Sequence, residues 1–263
     1  MHRLESGGSL NVTIDEATVA EWGERHLRPL PWRSTRDPWA VLVSEVMAQQ
    51  TSVDRVVPKW GELLSRWPDP GALAGAPLSD LLRLWSGLGY PRRARNLRDA
   101  AQLVVDRHGG EVPRDLDALL ALPGVGTYTA RAVLAFAFEE PVGVVDTNVA
   151  RVLARHGGRR LSAREAQAVA DRWAARADDP WTWNQSVMEI GALCCRPTPR
   201  CVGCPLLDGC AWAGSGVTDD PAVGSAGVSR RQGAFRGSDR EVRGRILACV
   251  LEGPVAADFL AAK

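Results

Sequence analysis

Apolar residues recur at helical spacing along most of the chain, and no segment alternates apolar and polar residues over the length of a strand. Short apolar runs such as PVGVVD at 141–146 are isolated. The pattern predicts an all-α fold with helices at 14–28, 38–50, 52–67, 78–86, 92–108, 115–121, 127–138, 146–156, 162–176 and 182–194.

The composition changes after Trp212. Residues 1–212 carry the helical pattern and are predicted to form one domain, whereas residues 213–235 are rich in Gly, Ser and other small residues and predict a flexible linker. Residues 236–263 predict a short C-terminal tail with one or two helices, which is too small to fold robustly alone.

Composition and charge exclude several classes of protein. The chain has 263 residues, of which 45% are hydrophobic and 24% charged, so global disorder is excluded. The net charge of +1 gives no general attraction to nucleic acid, and any such binding must come from local patches. With no signal-like N-terminus and no run of about 18 apolar residues, we expect a cytoplasmic protein without membrane contact.

The turn LPGVG at 122–126 lies between two predicted helices. Its glycines permit positive φ or close backbone approach, and the free N–H groups at the start of the next helix suit a DNA phosphate. The turn resembles the helix–hairpin–helix motif, which grips the DNA backbone; an ordinary helix connection is the alternative for these five residues alone. The residues expected to meet DNA here are Gly124, Val125, Gly126 and Thr127.

Five of the six cysteines lie between positions 194 and 210. Four of them, Cys194, Cys201, Cys204 and Cys210, have the spacing C-x6-C-x2-C-x5-C. Four thiolates can bind zinc or an iron–sulfur cluster. Zinc ribbons use two separated C-x2-C pairs, whereas this compact loop resembles the 4Fe-4S cluster loop of the endonuclease III superfamily.

Two carboxylates stand out in apolar surroundings. Glu45 lies inside an otherwise apolar helix, and Asp146 follows two valines at the start of another. By themselves these residues favour ordinary explanations, a surface or salt-bridged glutamate and a helix N-cap. The basic segments 91–98 and 151–160 are either phosphate contacts or solvated helix faces.

The motifs taken together resemble a known family. The order SEVMAQQT, WSGLGYPRRARNL, LPGVGTYTARAV, VDTNVARVLAR, NQSVMEIGALCC and the cysteine loop is similar to that of MutY-type adenine DNA glycosylases, over roughly residues 25–212. The resemblance implies two α-helical subdomains with DNA and a flipped base between them, and a base-excision repair enzyme that removes adenine mispaired with 8-oxoguanine or guanine. It implies double-stranded DNA as partner and a 4Fe-4S cluster as cofactor, and we expect a monomer.

The resemblance also implies roles for individual residues. Glu45 matches the general acid that protonates the departing adenine, and Asp146 matches the carboxylate that stabilises the sugar cation. The supporting residues would be Tyr128 and Asn148, and the remaining DNA contacts Arg33, Gln49, Gln50 and Tyr90.

Lysine scarcity bears on the reaction. The only lysines are Lys59 and Lys263, and the helix after the hairpin has Tyr128 where the related bifunctional enzymes carry a lysine nucleophile. Because arginine cannot act as that amine, we expect base removal without efficient lysine-dependent strand cleavage.

Three questions stay open at this level. Cys195 satisfies the family's count from the preceding glycine, whereas Cys194 satisfies the count to the next cysteine, and the loop spacing favours Cys194. Only about 50 residues follow the cysteines, too few for the C-terminal domain with which many relatives recognise 8-oxoguanine. The alternative functions are a thymine or uracil mismatch glycosylase and a non-catalytic DNA-binding protein.

Overall fold

The computed structural model describes residues 15–216, 218–225, 227 and 236–253, and in these ranges the chain is helical without any strand. The all-α prediction is therefore confirmed. The helices are α1 Glu16–His26, α2 Pro38–Ala48, α3 Val53–Arg66, α4 Pro70–Ala74, α5 Leu78–Leu84, α6 Arg92–His108, α7 Leu116–Leu120, α8 Thr127–Ala137, α9 Thr147–His156, α10 Ala163–Ala174, α11 Pro180–Leu193, α12 Ala211–Gly214 and α13 Asp239–Glu252. A 3₁₀ turn covers Pro31–Arg33.

The chain folds into two compact units. We call Leu30–Phe138 with Arg230–Lys263 the hairpin unit, because it contains the LPGVG turn, and Met1–Pro29 with Glu139–Ser229 the cysteine unit. Each unit is assembled from segments that are distant in sequence, so tertiary packing rather than chain order defines it.

In the hairpin unit, α2 is the central helix. It begins at an Asp37 cap followed by Pro38, a favoured pair for starting a helix. Its residues Trp39 to Met47 are all buried, and α2 packs against α3, α6 and α8. A helix that is apolar on every side needs such a surround to be stable in water.

In the cysteine unit, α11 lies at the centre and packs against α1 and α9. The close approach of α1 to α11 depends on Gly23, since a Cβ there would lie 1.9 Å from Oγ of Ser186 in α11. The core around these helices contains Trp22, Trp173 and Trp183.

Residues 218–225 and Gly227, which we call the return segment, pack against other parts of the cysteine unit. Asp220 pairs with the buried Arg155, Ser225 Oγ accepts from the backbone N–H of Leu161, and Thr147 Oγ1 donates to the Gly227 carbonyl. The flexible-linker prediction for 213–235 did not include these contacts, because composition does not report them; residue 217, residue 226 and residues 228–235 lie outside the described residues.

The C-terminal tail contains one described helix, α13, which packs against α5. Arg83 Nε donates to the Leu251 carbonyl at 3.4 Å. Residues 254–263, including Lys263, lie outside the described residues. Within the described ranges, every helix is too short or too polar to cross a lipid bilayer.

Candidate active site and cysteine cavity

Asp146 is the N-cap of α9, as the ordinary reading of the sequence suggested. Its Oδ1 accepts the backbone N–H groups of Asn148 at 2.8 Å and Val149 at 2.7 Å. Burial raises the pKa of Asp146, and the hydrogen bonds from Val149 and Asn148 oppose that rise. Capping and burial together produce a carboxylate held in one orientation at the positive end of a helix dipole.

Asn148 joins this carboxylate to a buried arginine. Its Nδ2 donates to Oδ2 of Asp146 at 2.9 Å, and its Oδ1 accepts from Nη2 of Arg151 at 2.8 Å. Arg151 also donates to the carbonyls of Gly191 and Cys195. The network connects the Asp146 carboxylate to the end of α11, where the cysteine loop begins.

The network requires a glycine in α11. A Cβ added to Gly191 would lie 2.6 Å from Cβ and 2.8 Å from the carbonyl oxygen of Asn148. The absence of a side chain therefore permits α11 to approach α9 closely enough for Arg151 to reach the Gly191 carbonyl.

Glu45 lies in α2 of the hairpin unit and is only 9% exposed. Its helical neighbours Ser44 and Val46 are also buried, and Ser44 Oγ donates to the Val41 carbonyl within the helix. The surface-glutamate alternative is thus wrong. A carboxyl so placed has little access to water, and burial of its charge is costly unless a partner compensates for it.

The predicted DNA contacts of the hairpin unit follow α2 and α5. Gln49 is the C-cap of α2, and its Nε2 donates to Thr129 Oγ1 at 3.3 Å. Gln50 and Tyr90 have φ values of +54° and +48°, in the left-handed region that residues other than glycine rarely adopt. Strained backbone of this kind is concentrated at functional sites, and both side chains are exposed.

The LPGVG turn forms the expected connection between α7 and α8. Gly124 has a φ of +80°, and a Cβ there would lie 2.8 Å from Cβ of Asn96. Gly126 is the N-cap of α8 and carries no side chain to cover the first N–H groups of that helix. Thr127 is exposed and Val125 is buried, which leaves backbone rather than apolar side chains at the surface.

The other two predicted site residues are partly buried. Tyr128 lies in the first turn of α8, and Arg33 ends the 3₁₀ turn Pro31–Arg33. Both belong to the hairpin unit.

Arg93 has a structural role that the sequence did not reveal. It donates to the carbonyls of Val46, Met47, Leu88 and Gly89 and to Thr51 Oγ1, at distances from 2.8 to 3.1 Å. Burial lowers its pKa to about 10. It therefore fixes the end of the Glu45 helix against the loop before Tyr90. Only its place in the GLGYPRR segment could have drawn attention to it.

A cavity in the cysteine unit is lined by five cysteines. Cys194, Cys195, Cys201, Cys204 and Cys210 all contribute to its wall, with Arg155, His156 and Trp212 among the other lining residues. Among the described residues, no three His, Cys, Asp or Glu side chains are drawn together at metal-binding distance. The sequence alternatives Cys194 and Cys195 both face this cavity.

The chemistry of the cavity fits a bound cationic group. Burial raises the pKa of Cys194, Cys195 and Cys204, that of Cys204 to about 12, and neighbouring thiolates add to the rise. Thiols with raised pKa values need a nearby positive centre to lose their protons, as a metal supplies. The five thiols in the wall include enough donors of the right type for a four-thiolate group.

Two residues of the last turn of α9 complete the wall. Arg155, 2% exposed, donates to the carbonyls of Arg196 and Pro197 at the start of the cysteine loop and to Asp220. His156, also 2% exposed, stacks edge-on against Trp173. Burial lowers the pKa of His156 to about 4, so its imidazole is neutral at physiological pH.

Comparison with known proteins shows the family to which the chain belongs. Residues 43–175 match the model of the HhH-GPD superfamily base excision DNA repair protein. The chain is 44% identical to an adenine DNA glycosylase of Mycobacterium tuberculosis (strain ATCC 25618 / H37Rv) over 241 residues, which cover 89% of this chain and 77% of the relative. The chain therefore belongs to the HhH-GPD superfamily of base-excision DNA repair proteins and, within it, to the adenine DNA glycosylase family.

More distant relatives support the same assignment. An adenine DNA glycosylase of Homo sapiens is 39% identical over 216 residues, which cover 76% of this chain and 39% of that protein. Among solved structures, a thermostable thymine-DNA glycosylase matches with a TM-score of 0.71 at 28% identity, over 75% of this chain and 94% of that one. A non-covalent endonuclease III–DNA complex matches with a TM-score of 0.61 at 27% identity, over 76% of this chain and 97% of that one.

Proposed function

We propose that this protein is a monofunctional glycosylase that removes adenine mispaired with 8-oxoguanine or guanine from double-stranded DNA, acting as a monomer. The observation that carries the proposal is the Asp146 carboxylate, fixed by two backbone N–H groups and the Asn148 amide in a chain 44% identical to an adenine DNA glycosylase.

Hydrolysis of the bond between sugar and adenine places positive charge on the sugar and negative charge on the leaving base. A carboxylate that cannot rotate away stabilises the first, and a proton donor neutralises the second. We assign these roles to Asp146 and Glu45, with Asn148 orienting Asp146 and Tyr128 supporting the substrate. Such a proton transfer typically contributes about 10²–10⁴-fold to the rate.

The target base lies inside the duplex until it is flipped out, at a cost of roughly a few kcal/mol. We assign to Gln49 and Gln50 the wedge that enters the base stack. Tyr90 is assigned to stacking on a base, and Arg33 to contact with the DNA backbone. The N–H groups of the LPGVG turn, at Gly124, Val125, Gly126 and Thr127, would hold a phosphate. Exposure and positive φ values support the assignments of Gln50, Tyr90 and Gly124, and the other assignments rest on the resemblance in sequence.

The proposed cofactor is a 4Fe-4S cluster on Cys194, Cys201, Cys204 and Cys210, with Cys195 as the alternative first ligand. When bound, such a cluster would tie the loop after α11 together. Serine variants at positions 194 and 195 separate the two assignments. We expect iron to be lost from Cys194→Ser and retained by Cys195→Ser; the reverse result assigns Cys195.

We expect no lysine-dependent strand cleavage because no lysine in the described part of the chain is positioned to act as the nucleophile. Within the described residues Lys59 is the single lysine, and its Nζ pairs with Glu62 at 3.1 Å in α3. Tyr128 occupies the first turn of α8 and cannot form a Schiff base.

One assay tests the function. Duplexes with A opposite 8-oxoguanine, A opposite G, T opposite G or U opposite G are incubated with the protein and divided into samples with and without alkali. The proposal requires breaks at adenine that appear only after alkali. Breaks at pyrimidines indicate a thymine or uracil mismatch glycosylase. Breaks without alkali contradict monofunctional action. Binding without breaks indicates a non-catalytic DNA-binding protein.

A further inference from the structure

His156 is a buried polar residue that has no role in the base-excision mechanism proposed above. It occupies the last residue of α9, the helix that Asp146 caps, and its side chain lines the cysteine cavity. At 2% exposure it is removed from solvent.

Its ring nitrogens lack hydrogen-bond partners. Across the described part of the chain, neither Nδ1 nor Nε2 of His156 meets a donor or acceptor in hydrogen-bonding geometry. The backbone of Leu206 is a weak hydrogen-bond partner outside that geometry and favours the charged ring, but burial dominates and lowers the pKa of His156 to about 4, which keeps the ring neutral. Buried polar groups are nearly always hydrogen-bonded, so the ring nitrogens of His156 point to a partner that the protein itself does not supply.

The surroundings restrict what that ligand is. The same cavity wall carries the five cysteines, while Val152, Ile190 and Leu206 supply its apolar part. A neutral imidazole always has one N–H donor. The acceptors that fit this cavity are sulfur atoms: cysteine thiolates and the sulfides of a cluster.

We propose that His156 donates a hydrogen bond from its ring N–H to a sulfur of the 4Fe-4S cluster and thereby raises the reduction potential of that cluster. The inference rests on the cluster proposed above. A donor withdraws charge from the sulfur and stabilises the more reduced, more negative state, and hydrogen bonds to sulfur are among the main determinants of cluster potential.

His156 is thus a positioning and tuning residue rather than a ligand, since the four cysteines fill the coordination positions of the irons. It also places the end of α9 in contact with the cluster, ten residues from the helix start beside Asp146. That helix is about 15 Å long.

The first test is electrochemical. The reduction potential of the purified holoprotein is measured for wild type, His156→Leu and His156→Gln, with His108→Gln as control. His108 lies at the end of α6 in the hairpin unit and does not line the cysteine cavity. We expect a lower potential for His156→Leu, and a potential close to wild type for His156→Gln, which retains an N–H donor, and for His108→Gln. Equal potentials in all four proteins overturn the proposal.

The second test does not depend on the stability of the Leu variant. Wild-type and His156→Gln proteins are labelled with ¹⁵N-histidine, and pulsed EPR is recorded on the paramagnetic form of the cluster. The chain has four histidines, so loss of the signal in His156→Gln assigns it. A weak ¹⁵N coupling in wild type supports a hydrogen bond, whereas no coupling, or one as strong as that of a direct ligand, overturns it.

The two proposals fail in different ways. Protein that contains no iron after anaerobic preparation refutes the cluster and, with it, this role of His156. Protein with a full cluster but no histidine coupling refutes only the role of His156 and leaves the proposed cofactor standing.

Discussion

The side chain of Asn148 holds the Asp146 carboxylate through a hydrogen bond of 2.9 Å from its Nδ2 to Oδ2. Arg151 fixes the other side of the same amide, so that neither the amide nor the carboxylate can rotate independently. A residue two positions from Asp146 thus holds the orientation of the carboxylate and lowers its pKa against the effect of burial.

Replacing Asn148 by Ala removes this restraint while keeping the backbone N–H that caps α9. Because a hydrogen bond to a charged group contributes about 1.5–3 kcal/mol, we expect adenine excision to slow by about 10–100-fold under single-turnover conditions. Gln102→Ala, at an exposed position of α6, is the control and should excise at the wild-type rate. Equal rates for Asn148→Ala and wild type would remove Asn148 from the site.

The pH dependence of excision should report Asp146. Burial raises its pKa, so the rate should fall with decreasing pH at a value above the ordinary aspartate pKa of about 3.9. The sign follows from the chemistry, since the protonated acid cannot stabilise a sugar cation. Asn148 hydrogen-bonds the charged form and lowers the pKa, so Asn148→Ala should move this acidic limb to higher pH. Single-turnover excision rates of wild type and Asn148→Ala, measured across the acid range, test this prediction. An acidic limb at the same pH in both proteins contradicts the role assigned to Asp146.

Gly124→Ala should weaken DNA binding. The new Cβ combines a φ of +80° with a separation of 2.8 Å from Asn96 Cβ, so the turn must shift and misplace its N–H groups. The strain alone is about 1 kcal/mol. Gly109→Ala is a matched control, because it has a φ of +62° but open space around its Cβ. Fluorescence anisotropy with an undamaged duplex should show weaker binding only for Gly124→Ala, and equal losses would exclude the turn as a contact.

Arg93→Ala should destabilise the hairpin unit. The variant leaves several buried carbonyls without a donor, and we expect a loss of about 3 kcal/mol in the free energy of unfolding. The exposed neighbour Arg92 is the control, since Arg92→Ala should change stability by less than about 0.5 kcal/mol. Urea unfolding measures both. A stable Arg93→Ala protein that only binds DNA weakly would restore the phosphate-contact interpretation.

The return segment should contribute stability through Asp220. Its pKa is lowered chiefly by the hydrogen bond from Arg155, so its contribution is fully present above the unfolded value of about 3.9 and is lost as pH falls through the lower folded value. Asp220→Asn should therefore cost about 1–3 kcal/mol near neutral pH, and the difference from wild type should close in acid. Asp219→Asn, at an exposed position, is the control. A pH-independent difference would rule out the ion pair as its source.

The helices were largely readable from the sequence because apolar periodicity and capping residues are local. α6 spans Arg92–His108 as predicted, and Asp146 and Ser162 cap their helices as expected. The short helices α4 and α12 were missed, since five and four residues are too few to show a period.

The sequence named candidate site residues, but it did not reveal the residues that support them. Arg93, Arg155 and His156 belong to basic segments whose exposure the sequence leaves undecided, and only tertiary packing reveals that all three are buried. The return segment was hidden for a related reason. Its small residues predict a linker, and its anchoring depends on Asp220 reaching an arginine that lies 65 positions earlier in the chain.

The most direct test of the account is the amount of free adenine released from a duplex with A opposite 8-oxoguanine, quantified by mass spectrometry alongside DNA binding for wild type, Glu45→Gln and Asp146→Asn. The account predicts stoichiometric adenine release by wild type. It predicts at least about 100-fold slower release by either variant, each still binding the duplex. Full adenine release by Glu45→Gln, or none by a wild-type protein that binds the duplex, would contradict it.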